Sequence, residues 1–209
     1  MAISAVDVIG DVIRLRSRAA RFLAVLICAH VPLVAAMAIY NHTGWPLQTS
    51  IAAVLALGAC AAAWFRPTAL TTRLIISASL TGMPILFVLN GAGPWQIDYH
   101  MYFFAIFAML VAFCDWRPIV LSATLTIGHH VVLDLFDRPA VFPSEGGVAR
   151  LALHGAIVAV ECGVLIWIIA QVRSLFLASA RSRALAEIVW RLRGLRPKPW
   201  RTTCASNRR

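Results

Sequence analysis

The chain has 209 residues, of which 60% are hydrophobic and only 13% charged, with a mean hydropathy of +0.78. A soluble domain carries about 25% charged residues, so a water-soluble globule is excluded and the solvent must be largely lipid. The net charge of +10 sits in tails and short links around apolar runs, where it acts in topology and lipid head-group contact rather than in nucleic-acid binding.

Residues 1–21 read as a cytoplasmic, interfacial lead-in, with Val8, Ile9, Val12 and Ile13 set against Asp11, Arg14 and Arg18. The first span follows at 22–40. At about 19 residues it exceeds the apolar core of a signal peptide, so it is read as a retained anchor. After the turn Asn41-His42-Thr43-Gly44 comes a second span at 47–65, ending at Arg66-Pro67. The third, 74–91, contains Gly82-Met83-Pro84, where a kink is expected. A turn at 91–94 leads to the fourth span, 98–114. The link Asp115-Trp116-Arg117-Pro118, which reads either as a turn with an internal ion pair and interface anchor or as a signalling element, opens the fifth, 119–136. A loop at 137–149, with Pro139, Pro143 and Gly146-Gly147, precedes the sixth span, 150–171. Residues 172–195 continue as a cytoplasmic helical extension, and 196–209 form a basic, disordered tail.

Each run is long enough for a hydrocarbon core of roughly 30 Å. The expected fold is therefore an all-α membrane protein, a six-transmembrane-helix bundle. Alternate links and both tails hold 17 of the 19 Lys and Arg residues, which by the positive-inside rule places both termini in the cytoplasm. Trp45 and Trp95 on the outer side and Trp64 and Trp116 on the inner fall where interfacial aromatic belts belong. Cys28, Cys60, Cys114 and Cys162 lie within or at the ends of apolar runs without a CxxC pair. Their spacing supports neither a disulfide framework nor a thiolate metal site.

Ionisable residues inside a span are costly and mark function. Nearly all of them fall in the outer half. By a rise of about 1.5 Å per residue, His130 lies roughly 10 Å below the outer surface, and Asp134 and His154 roughly 5 Å. His100 is shallower, while Glu161 and His30 lie roughly 15 Å down. His130 and Asp134, four apart, share a helix face, whereas His129 is rotated about 100° away. His154 and Glu161, seven apart, line one stripe of the sixth helix. These positions make His100, His129, His130, Asp134, His154 and Glu161 the candidate ligand or sensing residues. His100, His130, His154 and Asp134 form a candidate metal set. Neutral imidazoles with a carboxylate suit Fe, Cu or Zn, and two histidines on separate helices suit haem. His30 reads as an interhelical hydrogen-bonding residue and His42 as interfacial. Tyr102, Phe103, Phe104 and Phe107 read as packing surface.

The pattern His100-Met101-Tyr102-Phe103-Phe104, Cys114-Asp115-Trp116-Arg117, His129-His130, Val141-Phe142-Pro143 and Arg150…His154…Glu161 resembles the multi-pass N-terminal membrane region of certain bacterial methyl-accepting chemotaxis proteins. The likeness covers about residues 96–171. It implies an inner-membrane sensory and signal-transduction module rather than an enzyme, with a sensing role for His100, His129, His130 and His154. It further implies a homodimer and a cytoplasmic signalling partner. Such receptors continue into a long signalling coiled coil, whereas here the helical pattern breaks at Gly194-Leu195-Arg196-Pro197. The chain is expected to be a stand-alone sensor, a truncated receptor, or a subunit whose output lies elsewhere. Two alternatives stand beside this reading. One is a metal-dependent membrane oxidoreductase, for which a single HH pair supplies few ligands. The other is a proton- or metal-coupled transporter using Glu161, His30 and Asp134, which needs ionisable groups in the inner half as well.

Overall fold

The computed structural model describes the backbone of residues 2–91, 96–136 and 148–192, and the side chains of those segments between 10 and 190. The expected turn at 92–94 with Trp95, the loop at 137–147 with Arg138, and the tail from 193 onward lie outside the described residues. Six α-helices account for nearly all of the rest: α1 (Ala2–Tyr40), α2 (Trp45–Phe65), α3 (Leu70–Asn90), α4 (Gln96–Leu110), α5 (Trp116–Phe136) and α6 (Val148–Leu192). A single 3-10 turn, Val111–Phe113, closes α4. All six regions are long and apolar enough to cross a membrane; this is a multi-pass membrane protein.

The lead-in does not form a separate interfacial helix. It is the first five turns of α1, which runs unbroken through its internal Pro32. At 39 residues α1 is about 58 Å long, nearly twice a hydrocarbon core. Likewise α6, at 45 residues, reaches about 68 Å. The projecting parts of these two helices meet, because Arg183 Nη2 of α6 lies 2.6 Å from Asp11 Oδ2 of α1. The start of α1 and the end of α6 therefore lie at one end of the bundle.

The bundle is built around α3, with 61% of its span inside the fold against 17–33% for the others. It packs on α1, α2, α4 and α5, and its helix continues through Gly82-Met83-Pro84. Ile76, Leu80 and Met83 are fully enclosed, as are Leu23 and Ile27 of α1, Ile106, Phe107 and Leu110 of α4, and Ile119 of α5. On α2 the buried positions are all alanine: Ala52, Ala56, Ala59 and Ala63. With lipid on one side and protein on the other, helix association depends on close packing, which small residues at this spacing permit. One close approach depends on glycine: a Cβ at Gly91 would lie 2.2 and 2.3 Å from two ring carbons of Tyr99, so α4 can fold back against the end of α3 only because that side chain is absent.

The Asp115-Trp116-Arg117 turn corrects an expectation. Asp115 does not pair with Arg117; its Oδ2 lies 3.0 Å from Arg73 Nε and Nη2 on α3, with both side chains buried. Asp115 Oδ1 instead accepts the backbone N–H of Arg117 at 3.2 Å, capping the start of α5. The Arg117 guanidinium lies outward, 5.6 Å from the Trp116 ring. Arg73 wins because it sits across the interface, where the buried carboxylate needs a cation to compensate it. From α1, Arg16 donates to the carbonyl oxygens of Phe113 (2.9 Å) and Cys114 (3.2 Å). These are orphan acceptors left where α4 ends and Cys114 turns left-handed at φ 47°. α1 and α3 are thus both fastened to the α4–α5 corner, at the end of the bundle from which α1 and α6 project.

Candidate functional site

The opposite end gathers the histidines. His100 enters from the first turns of α4, His130 from the last turns of α5 and His154 from the second turn of α6. Their ring centres are 5.4 Å apart for His100–His130 and 5.7 Å for His130–His154, with His130 in the middle and 6% exposed. His100 therefore stands beside His130, although its place near the start of the fourth span put it closer to the outer surface. His129 is half-buried and its ring sits at right angles to that of His130, 5.4 Å away. Phe103 walls the cluster, 5.8 Å from His130, 6.1 Å from His129 and 6.3 Å from His100. Within the aromatic run it packs on the candidate site itself rather than on lipid.

The three histidines from separate helices share a local feature. Each donates Nδ1–H to the carbonyl four residues back: His100 to Gln96 at 2.8 Å, His130 to Thr126 at 2.7 Å, His154 to Arg150 at 3.2 Å. A carbonyl can only accept, so Nδ1 carries a proton in each ring, and of the two neutral tautomers only the one with its lone pair at Nε2 fits these contacts. The Nε2 atoms of His100 and His129 are buried with no hydrogen-bond partner among the described residues. Such a group costs about 1–3 kcal/mol when left unpaired.

The carboxylates flank this cluster. Asp134 is buried on the same face of α5, one turn beyond His130. Glu161, half-buried two turns along α6 from His154, has an Oε2 atom that is buried and unpartnered among the described residues. No three His, Cys, Asp or Glu side chains among the described residues converge closely enough to form a ready-made metal site. A bis-histidine haem fits poorly, since His100 and His130 meet edge to face at 64° with Phe103 against both. A macrocycle between them would have to displace that ring.

Below the cluster lies a feature that sequence reasoning missed. The inward face of α5 is polar: Ser122, Thr126, His130 and Asp134, at four-residue intervals, are all buried. α3 presents Arg73, Ser77 and Thr81, also four apart and buried. Thr81 and Ser122 share a hydrogen bond at 2.6 Å, Thr81 Oγ1 also lies 2.8 Å from Ser77 O, and Ser77 Oγ donates to Pro118 O at 2.6 Å. Thr126 Oγ1 is buried with no partner among the described residues. A polar seam therefore runs from the histidines through the core to the Arg73–Asp115 pair. The four-residue repeat on α5 was present in the sequence, but isolated Ser and Thr are too common in membrane helices to single out.

His30 lies apart from the cluster. It donates Nδ1–H to Leu26 O and accepts the Tyr102 hydroxyl at Nε2, both at 2.6 Å, as expected for an interhelical hydrogen bond. His42, with φ 54°, lies in the α1–α2 turn. The packing also brings Cys28 of α1 to Cys60 of α2, with Sγ atoms 3.2 Å apart, a proximity that their separation of 32 residues did not disclose. Comparison of the chain with protein-family models, with curated proteins and with solved structures gives no match.

Proposed function

We propose that this protein is a sensory module of chemoreceptor type in a bacterial inner membrane, reading its stimulus at the His100–His130–His154 cluster. One observation carries the reading. α6 is a single helix that holds His154 at one end of the bundle and, 29 residues later, Arg183 paired with Asp11 of α1. A displacement of α6 at the cluster has no loop in which to dissipate, so it reaches the α1–α6 pair at the far end. The charge distribution supports placing that end in the cytoplasm and the cluster in the outer half of the bilayer. The motif resemblance over residues 96–171 supports the sensory class, and on the same reading two copies pair and the exposed face of α6 beyond Arg173 meets a signalling partner.

The test is a distance between spin labels on the exposed positions Ile13 and Ser179 in an otherwise cysteine-free chain in nanodiscs. Acid, transition-metal ions and small oxidants are applied in turn to the cluster side. The expected result is a changed distance distribution with one stimulus, lost on His130→Ala. An invariant distance under all of them would refute the proposal.

The polar seam favours a second reading, proton-coupled transport, since hydroxyls and the Arg73–Asp115 pair carry polarity beyond the outer half. Proteoliposome flux lost in Thr81→Val/Ser122→Ala would establish it, and absent flux would exclude it.

A further inference from the structure

We infer that the α4–α5 corner holds the phosphate of an anionic phospholipid between Arg16 of α1 and Arg173 of α6, a site separate from the histidines and independent of the sensory reading. The first argument is charge. Arg73 and Arg173 both act on Arg16 electrostatically, and Asp115 is the one carboxylate that does so. Arg73 and Asp115 compensate each other as a buried pair. Arg16 and Arg173 therefore remain as two positive charges without a negative partner. The Arg173 side chain is exposed and makes no hydrogen bond or ion pair among the described residues. A guanidinium has five N–H donors, and Arg16 commits two of them to the carbonyls of Phe113 and Cys114, at 2.9 and 3.2 Å. Its remaining donors are open to an anion, and the planar fork suits phosphate oxygens.

The second argument is position. The corner lies where α4 ends and α5 begins, at the boundary of two membrane spans. Arg16 precedes the first apolar run and Arg173 follows the last, so both belong to the same boundary. The Trp116 ring beside them is 45% exposed, as an indole at head-group level is. Basic sites between membrane helices at this depth suit anionic head groups. A lipid is held at that depth by its acyl chains, which keeps its phosphate at high effective concentration beside the corner. A phosphate dissolved in water has no such anchor.

The bound phosphate has a structural consequence. It joins α1 to α6, the two helices that project together, and so adds a second link between them besides Asp11–Arg183. It also relieves the repulsion between two guanidiniums that no carboxylate on the chain compensates at this corner.

The experiment titrates the full chain in non-ionic detergent micelles with phosphatidylglycerol and counts retained lipid by native mass spectrometry. Phosphatidylcholine, which has the same phosphate but no net charge, is the comparison. The expected result is retention of phosphatidylglycerol at concentrations where phosphatidylcholine is lost. Its affinity should fall at least about fivefold in Arg16→Gln and in Arg173→Gln. It should stay unchanged in Arg66→Gln, which removes an exposed arginine from the α2–α3 link at the same end of the bundle. Arg173 is exposed, so its variant remains informative if Arg16→Gln loosens the corner. Unchanged affinity in Arg173→Gln would overturn the inference, as would equal retention of phosphatidylcholine. An equal loss in Arg66→Gln would overturn it in favour of a diffuse basic ring, and displacement by equimolar glycerol 3-phosphate in favour of a soluble phosphate ligand.

Discussion

Replacing Asp115 by alanine tests the logic of the bundle at its most concentrated point. The carboxylate has two duties: it pairs with the buried Arg73 and caps the start of α5. Removing one partner of a buried ion pair costs about 3–5 kcal/mol, because the other charge is left without compensation. Arg73 keeps its hydrogen bond to Thr68 O at 2.8 Å, which argues for the lower end, about 3 kcal/mol. Loss of the cap adds about 1 kcal/mol. The sum, about 4 kcal/mol, corresponds to a change of nearly 1000-fold in the folding equilibrium. Reversible unfolding in mixed micelles, titrated with sodium dodecyl sulfate and followed by circular dichroism, measures it. The double replacement Arg73→Met/Asp115→Leu should recover most of the loss, since apolar residues of similar size are often as stable as the buried pair. An Asp115→Ala variant within about 1 kcal/mol of the parent, or a double variant no better than the single one, would show that the pair is solvated and that the corner is not held as described.

Three further outcomes follow from the packing. Gly91→Ala should destabilise the fold by about 1–3 kcal/mol, the usual cost of overpacking, and adding Tyr99→Ala should relieve the clash; the same titration reads both, and a neutral Gly91→Ala variant would show that Tyr99 does not pack there. Thr81→Val and Ser122→Ala should each cost about 0.6 kcal/mol, the mean for interhelical hydrogen bonds in a bilayer, with the double variant costing no more than the worse single; full additivity would show that the two hydroxyls do not meet. A membrane-permeant oxidant should link Cys28 to Cys60 within one chain, detected as two thiols lost to maleimide labelling and restored by reductant; no loss of labelling beyond that of Cys28→Ser would contradict the contact between α1 and α2.

The composition and the lengths of the apolar runs determined that this is a six-span helical membrane protein, because a bilayer permits few structures and requires each span to satisfy its own backbone. Helical periodicity also placed His130 and Asp134 on one face of α5, where both are buried, since that geometry is local. Pairing across helices was not local, and there the sequence fell short. Asp115 looked destined for Arg117, two residues away, yet a helix N-terminus sends that side chain outward and leaves the carboxylate to Arg73, 42 residues earlier. Ser77, Thr81, Ser122 and Thr126 were unremarkable one by one and became a seam only when α3 met α5. Phe103 became a wall of the cluster for the same reason. The lead-in reads as a separate flank and the basic extension as a continuation of the sixth span; both belong to unbroken helices, and the Asp11–Arg183 contact joins them. The histidines themselves were legible because charge-capable groups in apolar spans are rare. What only the tertiary structure decided was their common level, their shared Nδ1 anchoring and the central place of His130. Each depends on where three separate helices start and end against one another, and sequence spacing within a helix carries no such information.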